Sequence, residues 1–186
     1  MTADAMDGGR RPNRLRPLVW GGAATLLALP AVAMRFTTEV NWEETDFIVM
    51  GVLLAIACGG YELATRMSGN RFYRAGAGVA VLISFLIVWA NLAVGMIASE
   101  DNPYNLLFFG VIALAGAGTA LARFRPAGIA RAMTVAAGAH ILVAAVGLLT
   151  DVRGGIFSLV FAGPWLLAAA LFRRAARDGS GEGRMA

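Results

Sequence analysis

Few side chains in this chain can do chemistry, and their spacing limits what that chemistry is. There is one histidine, His140, and one cysteine, Cys58, while all sixteen basic residues are arginine. Without lysine there is no Schiff-base amine and no phosphate-cradling P-loop lysine. A single cysteine gives neither an intrachain disulfide nor a thiolate metal cluster. A single histidine cannot supply both axial ligands of a b-type haem. No cofactor is expected.

What remains is a short set. Glu62 is the one carboxylate well inside an apolar stretch, and an ionisable residue in a membrane helix is by default a hypothesis for a proton or cation site. Arg66 follows at i+4, the favourable order for a helical ion pair, so interfacial pairing is its expected role. Asn91, in "IVWANLAVG", is an amide that would seek a partner on another helix. His140 lies nine residues beyond Arg131, and Ser84 lies ten beyond Arg74. The two can therefore share a depth, as the base and nucleophile of an intramembrane hydrolase would. Ser84 nevertheless sits in "LISFL", without the G-x-S-x-G of a nucleophile elbow. A neutral, hydrogen-bonded His140 is the expectation, and catalysis is not.

The densest polar cluster is "SEDNPYN" at 99–105. Its Glu100 and Asp101 precede an apolar run, as Glu39, Glu43, Glu44 and Asp46 precede an earlier one. Acids suit helix N-termini, where unpaired N–H groups and the dipole are positive. Asn102 can cap, and Pro103 fits the first helical position. The alternative is a hard cation bridging both acidic loops, which needs six or more oxygens; the spacing matches no calcium loop, and no metal ligand is assigned.

These residues are positioned by membrane helices. The chain is 58% hydrophobic and 15% charged, with mean hydropathy +0.66, against about a quarter charged in soluble domains. Six stretches suffice for spans: 18–34, 46–64, 75–98, 104–122, 127–149 and 155–172, since a helix crosses the hydrocarbon layer in about 20 residues. The fold expected is an all-α, polytopic bundle of about six transmembrane helices with short loops. Residues 1–17 read as a basic tail and 173–186 as a disordered one.

If the helices alternate, fourteen arginines fall on one side, while Arg35 and Arg153 fall on the other. The positive-inside rule then puts both termini in the cytoplasm and the acidic loops outside. That distribution explains the basic balance without nucleic acid. Arg71, Arg74, Arg123 and Arg125 are expected to meet anionic lipid head groups. Trp20, Trp42, Trp89 and Trp165 mostly fall near interfaces, as an aromatic belt does. A second reading of residues 1–33 is a cleaved secretory signal ending in Ala31-Val32-Ala33. "GVLLAIACGGYELATR" (51–66) also lines up with "GVIALAGAGTALARFR" (110–125). Such a repeat of hairpins would suit a transporter, with spans unwound at Gly59-Gly60 or Pro164.

The segments "NWEETDF" (41–47), "YELATRMSGNRFYRAG" (61–76), "VWANLAVGMIASEDNPYNLLFFGV" (88–111) and "ARFRPAGIARAM" (122–133) resemble a family of small, uncharacterised inner-membrane proteins of Gram-negative bacteria. The resemblance covers residues 41–149 and supplies no catalytic residue. It implies a multi-pass architecture and makes the 99–105 turn the distinctive segment. The expected function is non-catalytic: an accessory, assembly or lipid-interacting component. Its partners would be the bilayer and either a membrane or periplasmic protein or a second copy. A small-solute or ion transporter using Glu62 is the alternative, and a Ser84/His140 hydrolase the third reading.

Overall fold

The computed structural model describes residues 16–182, with side chains through Gly179. Expectations for residues 1–15, in the basic tail and in the signal reading, and for residues 183–186 lie outside the described residues. The described residues form seven α-helices: α1 (Arg16–Ala33), α2 (Glu44–Met67), α3 (Arg71–Ala93), α4 (Leu106–Leu121), α5 (Pro126–Gly147), α6 (Val152–Val160) and α7 (Ala162–Glu182). Six segments are long and apolar enough to cross a membrane, α6 and α7 together making the last. The protein is an all-α, multi-pass membrane protein.

The chain divides at Cys58 into two compact units. In the first, the start of α2 is fixed by its own sequence. The Asp46 carboxylate accepts a hydrogen bond from the Glu43 N–H at 2.8 Å, the returning arm of a capping box. Trp42 meets Phe47 edge-on, ring centroids 5.2 Å apart, a hydrophobic staple across the helix start. Asp46 thus serves the helix terminus, as expected. Helix α2 then runs unbroken through Gly59-Gly60, so the unwinding proposed there is absent.

The second unit is organised around α5, which packs on α4, α6 and α7, while α3 packs on α7 and α4. Its buried face carries Ala130, Met133, Ala137, His140, Ala144 and Gly147, at the spacings of three and four that make one helical face. Small side chains let backbones approach, which matters where lipid is as apolar as leucine and burial from water gives no drive. A Cβ on Gly118 of α4 would stand 2.7 Å from that of Ala132, and one on Gly76 of α3 3.1 Å from the Phe172 ring. Outward, Leu82, Leu142, Ile156 and Val160 are each more than half exposed. Many large apolar residues thus face out, while α5 turns a face rich in small residues inward, an arrangement a bilayer solvent favours.

Three boundaries differ from the sequence expectation. First, α3 stops at Ala93, not residue 98. Gly95 adopts φ +71°, and a Cβ there would collide with the Ser99 backbone; this left-handed conformation suits glycine.

Second, the last span breaks after Val160. Pro164 has no N–H and its ring crowds the carbonyl four residues back. Phe161 N–H instead closes on Ser158 O at 3.0 Å, and Pro164 falls in the first turn of α7, where its missing donor costs little.

Third, the stretch after 172 is helical to Glu182 rather than disordered. Ala175 is buried, Arg173 donates to Thr134 Oγ1 at 2.7 Å, and Asn70 Nδ2 donates to Asp178 at 3.2 Å. These contacts hold the extra turns.

Between α4 and α5 the chain reverses through a Schellman pattern. Phe124 N–H bonds to Thr119 O and Arg123 N–H to Ala120 O, with Arg123 at φ +50° in the position glycine usually takes. The Tyr73 hydroxyl donates to Phe124 O at 3.3 Å and fastens this turn to the start of α3.

Candidate functional site: a polar clasp around residues 94–105

Residues 94–105 double back from α3 to α4, and two apolar side chains in this loop, Met96 and Ile97, are almost fully buried. Burying them also takes their backbone polar groups away from water, and such groups must be paired. Three side chains do the pairing. Asn105, itself 4% exposed, closes the single 3-10 turn Pro103–Asn105 that precedes α4. Its Oδ1 accepts from Ile97 N at 2.9 Å and from Met96 N at 3.3 Å. Its Nδ2 donates to Ser99 O at 2.7 Å, with a longer contact to Ile97 O. One amide therefore pairs three backbone groups of the 96–99 segment.

Asp151 holds the loop from the other side. As the N-cap of α6, its Oδ1 accepts from Arg153 N at 3.1 Å. Its Oδ2 accepts from Ala98 N at 2.9 Å. The Ala98 N–H first, and the Gly154 N–H next, hold this carboxyl below its ordinary value, because hydrogen bonds to the charged form favour it. The sign follows: the carboxylate's contribution is complete above the unfolded value near 3.8 and is lost as pH falls through the lower folded value. Melting temperature measured against pH in detergent should therefore be flat near neutrality. It should drop below about pH 4, and Asp151→Asn should flatten that acid limb.

Ser158 and His140 complete the clasp. Ser158 Oγ donates to Met96 O at 3.1 Å. His140, fully buried, places Nε2 3.0 Å from Ser158 O. A carbonyl only accepts, so Nε2 carries the proton and Nδ1 is a bare acceptor. The ring packs on Phe108, centroids 5.0 Å apart. His140 thus serves a carbonyl at the α6–α7 break, where the regular helical partner is lost. It is hydrogen-bonded as expected, but to backbone.

The other anticipated residues stand apart. Ser84 Oγ donates to Ala80 O of its own helix at 2.8 Å. Neither Ser84 nor Ser158 offers its hydroxyl to His140, so the base–nucleophile hydrogen bond of a hydrolase is not formed. Glu62, half-buried, pairs with the exposed Arg66, as its spacing predicted. Asn91 does not join helices: its Nδ2 donates to Ile87 O at 2.7 Å within α3, because that carbonyl is in reach one turn back. Its Oδ1, His140 Nδ1 and Trp165 Nε1 are buried without partners among the described residues.

Within "SEDNP", Asn102 Oδ1 accepts from Tyr104 N at 3.1 Å and Pro103 takes the first position of the 3-10 turn, the predicted capping roles. Glu100 and Asp101 are exposed. Among the described residues no three of His, Cys, Asp and Glu gather as a metal site would require. Arg71, Arg123 and Arg125 are exposed and Arg74 half-buried, and all four lie at helix ends.

Sequence reasoning missed Asn105, Asp151 and Ser158 as members of one constellation. Asp151 before an apolar run carried a capping signal. Nothing in the spacing links it to a loop more than fifty residues earlier. Compared with protein-family models, with curated proteins and with solved structures, the chain matches none.

Proposed function

We propose that this chain is a non-catalytic integral protein of a bacterial inner membrane, a location the resembled family implies, and that it acts as an accessory, assembly or lipid-interacting component, a role favoured by the scarcity of charge within its spans. One observation carries the reading. The partnered buried polar side chains, Asn91, Asn105, His140 and Ser158, all bond to backbone groups. Groups bonded to backbone in this way support a structural role for the clasp. The clasped loop then presents Glu100 and Asp101 to the periplasm, and the arginine-rich helix ends face the cytoplasm by the positive-inside rule.

A C-terminal reporter fusion tests the orientation. A cytoplasm-dependent fluorescent protein should be bright and a periplasm-dependent phosphatase inactive; the reverse pattern refutes it. Purification in mild detergent with mass spectrometry tests the role: a stable hetero-complex or retained lipid supports it.

The transporter reading draws on a different observation, the broken last span beside buried His140, since discontinuous helices line many transport sites. Proteoliposome flux separates the two. Non-catalytic accessory function predicts no ion or proton flux above that of empty vesicles. Flux abolished by Glu62→Gln would establish transport instead.

A further inference from the structure

We infer that Arg71 and Arg174, both stacked on Phe72, form a binding site for the phosphodiester of an anionic phospholipid head group. The inference rests on the reading that this end of the bundle lies at a membrane face. The guanidinium carbon of Arg71 stands 4.8 Å from the Phe72 ring centroid, and that of Arg174, from α7, stands 4.6 Å from the same centroid. The ring is fixed in place. Next to it Tyr73 meets Phe172 edge-on at 5.2 Å, and Asn70 caps α3 by accepting from Phe72 N at 2.8 Å and Tyr73 N at 3.1 Å.

Two like charges gathered on one ring repel each other, and cation–π attraction offsets this only in part. Carboxylates do not balance them: among the described residues neither arginine forms an ion pair. Asp178, one turn beyond Arg174, is held instead by Asn70. A guanidinium held over an aromatic ring keeps N–H donors whose planar fork matches phosphate oxygens. Arg71 is also the first residue of α3, where the helix dipole favours an anion. Arg71 opens a helix long and apolar enough to cross a membrane, and the apolar stretch proper starts at residue 75, which puts the site at head-group depth. Charge, donor geometry and depth together select an anionic lipid over a zwitterionic one.

The full chain, purified in a neutral detergent, is titrated with phosphatidylglycerol or phosphatidylcholine and read by native mass spectrometry. The parent should retain phosphatidylglycerol selectively. Arg71→Gln with Arg174→Gln should weaken that retention about 30-fold, as two interfacial charges imply. Phe72→Leu keeps both charges and should weaken it about fivefold through lost stacking. Arg35→Gln with Arg153→Gln removes the same charge elsewhere and should leave retention unchanged.

Equal retention of both lipids, a double variant within about twofold of the parent, or an equal loss in the Arg35/Arg153 control would overturn the site. Inorganic phosphate at constant ionic strength should not displace the lipid; displacement would mark a free-phosphate site and overturn the proposal. If the double variant fails to fold, by circular dichroism, Phe72→Leu and Arg71→Gln alone carry the decision. A chain released from membranes by carbonate would refute the membrane reading itself, whereas lost selectivity in a carbonate-resistant chain refutes only the site.

Discussion

Asn105→Ala should destabilise the second unit by roughly 3–5 kcal/mol, measured by reversible thermal or denaturant unfolding in detergent. The amide accepts from two backbone N–H groups and donates to Ser99 O. Alanine leaves these groups in a site where Met96 and Ile97 are 1% exposed. Each orphaned buried group costs about 1–3 kcal/mol, and the sum falls short of additivity because the loop relaxes. Asn105→Asp sharpens the test. Its carboxylate keeps the two acceptor contacts but loses the donor to Ser99 O and turns an oxygen toward that carbonyl. It should lie between alanine and the parent. A loss below about 1 kcal/mol for Asn105→Ala would mean that the loop is held by its apolar side chains alone.

Gly154→Ala should cost about 2–3 kcal/mol, the reverse of the usual sign. Replacing a helical glycine by alanine ordinarily gains up to about 1 kcal/mol, because glycine gives up more freedom on folding. Gly138, exposed in the middle of α5, is the matching control, as a Cβ there meets nothing within 4 Å. At Gly154, in the first turn of α6, the added carbon would collide with Asp151 Oδ2 and stand 2.8 Å from Met96 O. Neither neighbour yields easily. The carboxylate is held by the Ala98 and Arg153 N–H groups, and Met96 O belongs to the buried loop and accepts from Ser158. Relief requires opening the clasp. Melting curves of the two variants beside the parent should move in opposite directions. A gain at Gly154 similar to that at Gly138 would show that the clasp gives way without cost.

The number and placement of spans were legible because the bilayer imposes a length on apolar runs, and here the runs are separated by charge. The start of α2 was legible too, since Trp42, Asp46 and Phe47 act within one turn of it. The end of α3 was not. Val94, Met96 and Ile97 continue the apolar run, and hydropathy cannot tell membrane helix from a buried loop. Only Gly95 marks the reversal.

Little of the clasp was legible. His140 was expected to be hydrogen-bonded, and "SEDNP" to cap. The link to Ser158 depends on a carbonyl at a helix break caused by Pro164, and single-sequence spacing does not encode which helices become neighbours. Asn105 was hidden by its context, because an amide after a proline turn reads as one more capping residue. Its burial follows only from the packing of Met96 and Ile97 beneath it.

The central claim is that buried polar groups hold residues 94–105 as a fixed part of the fold. Hydrogen exchange of individual backbone amides, followed by mass spectrometry on the protein in detergent, tests it most directly. The amides of Met96, Ile97 and Ala98, which donate to Asn105 and Asp151, should exchange as slowly as those in the middle of α5, while the exposed Glu100 exchanges fast. Exchange at Met96 and Ile97 as fast as at Glu100 would contradict the account.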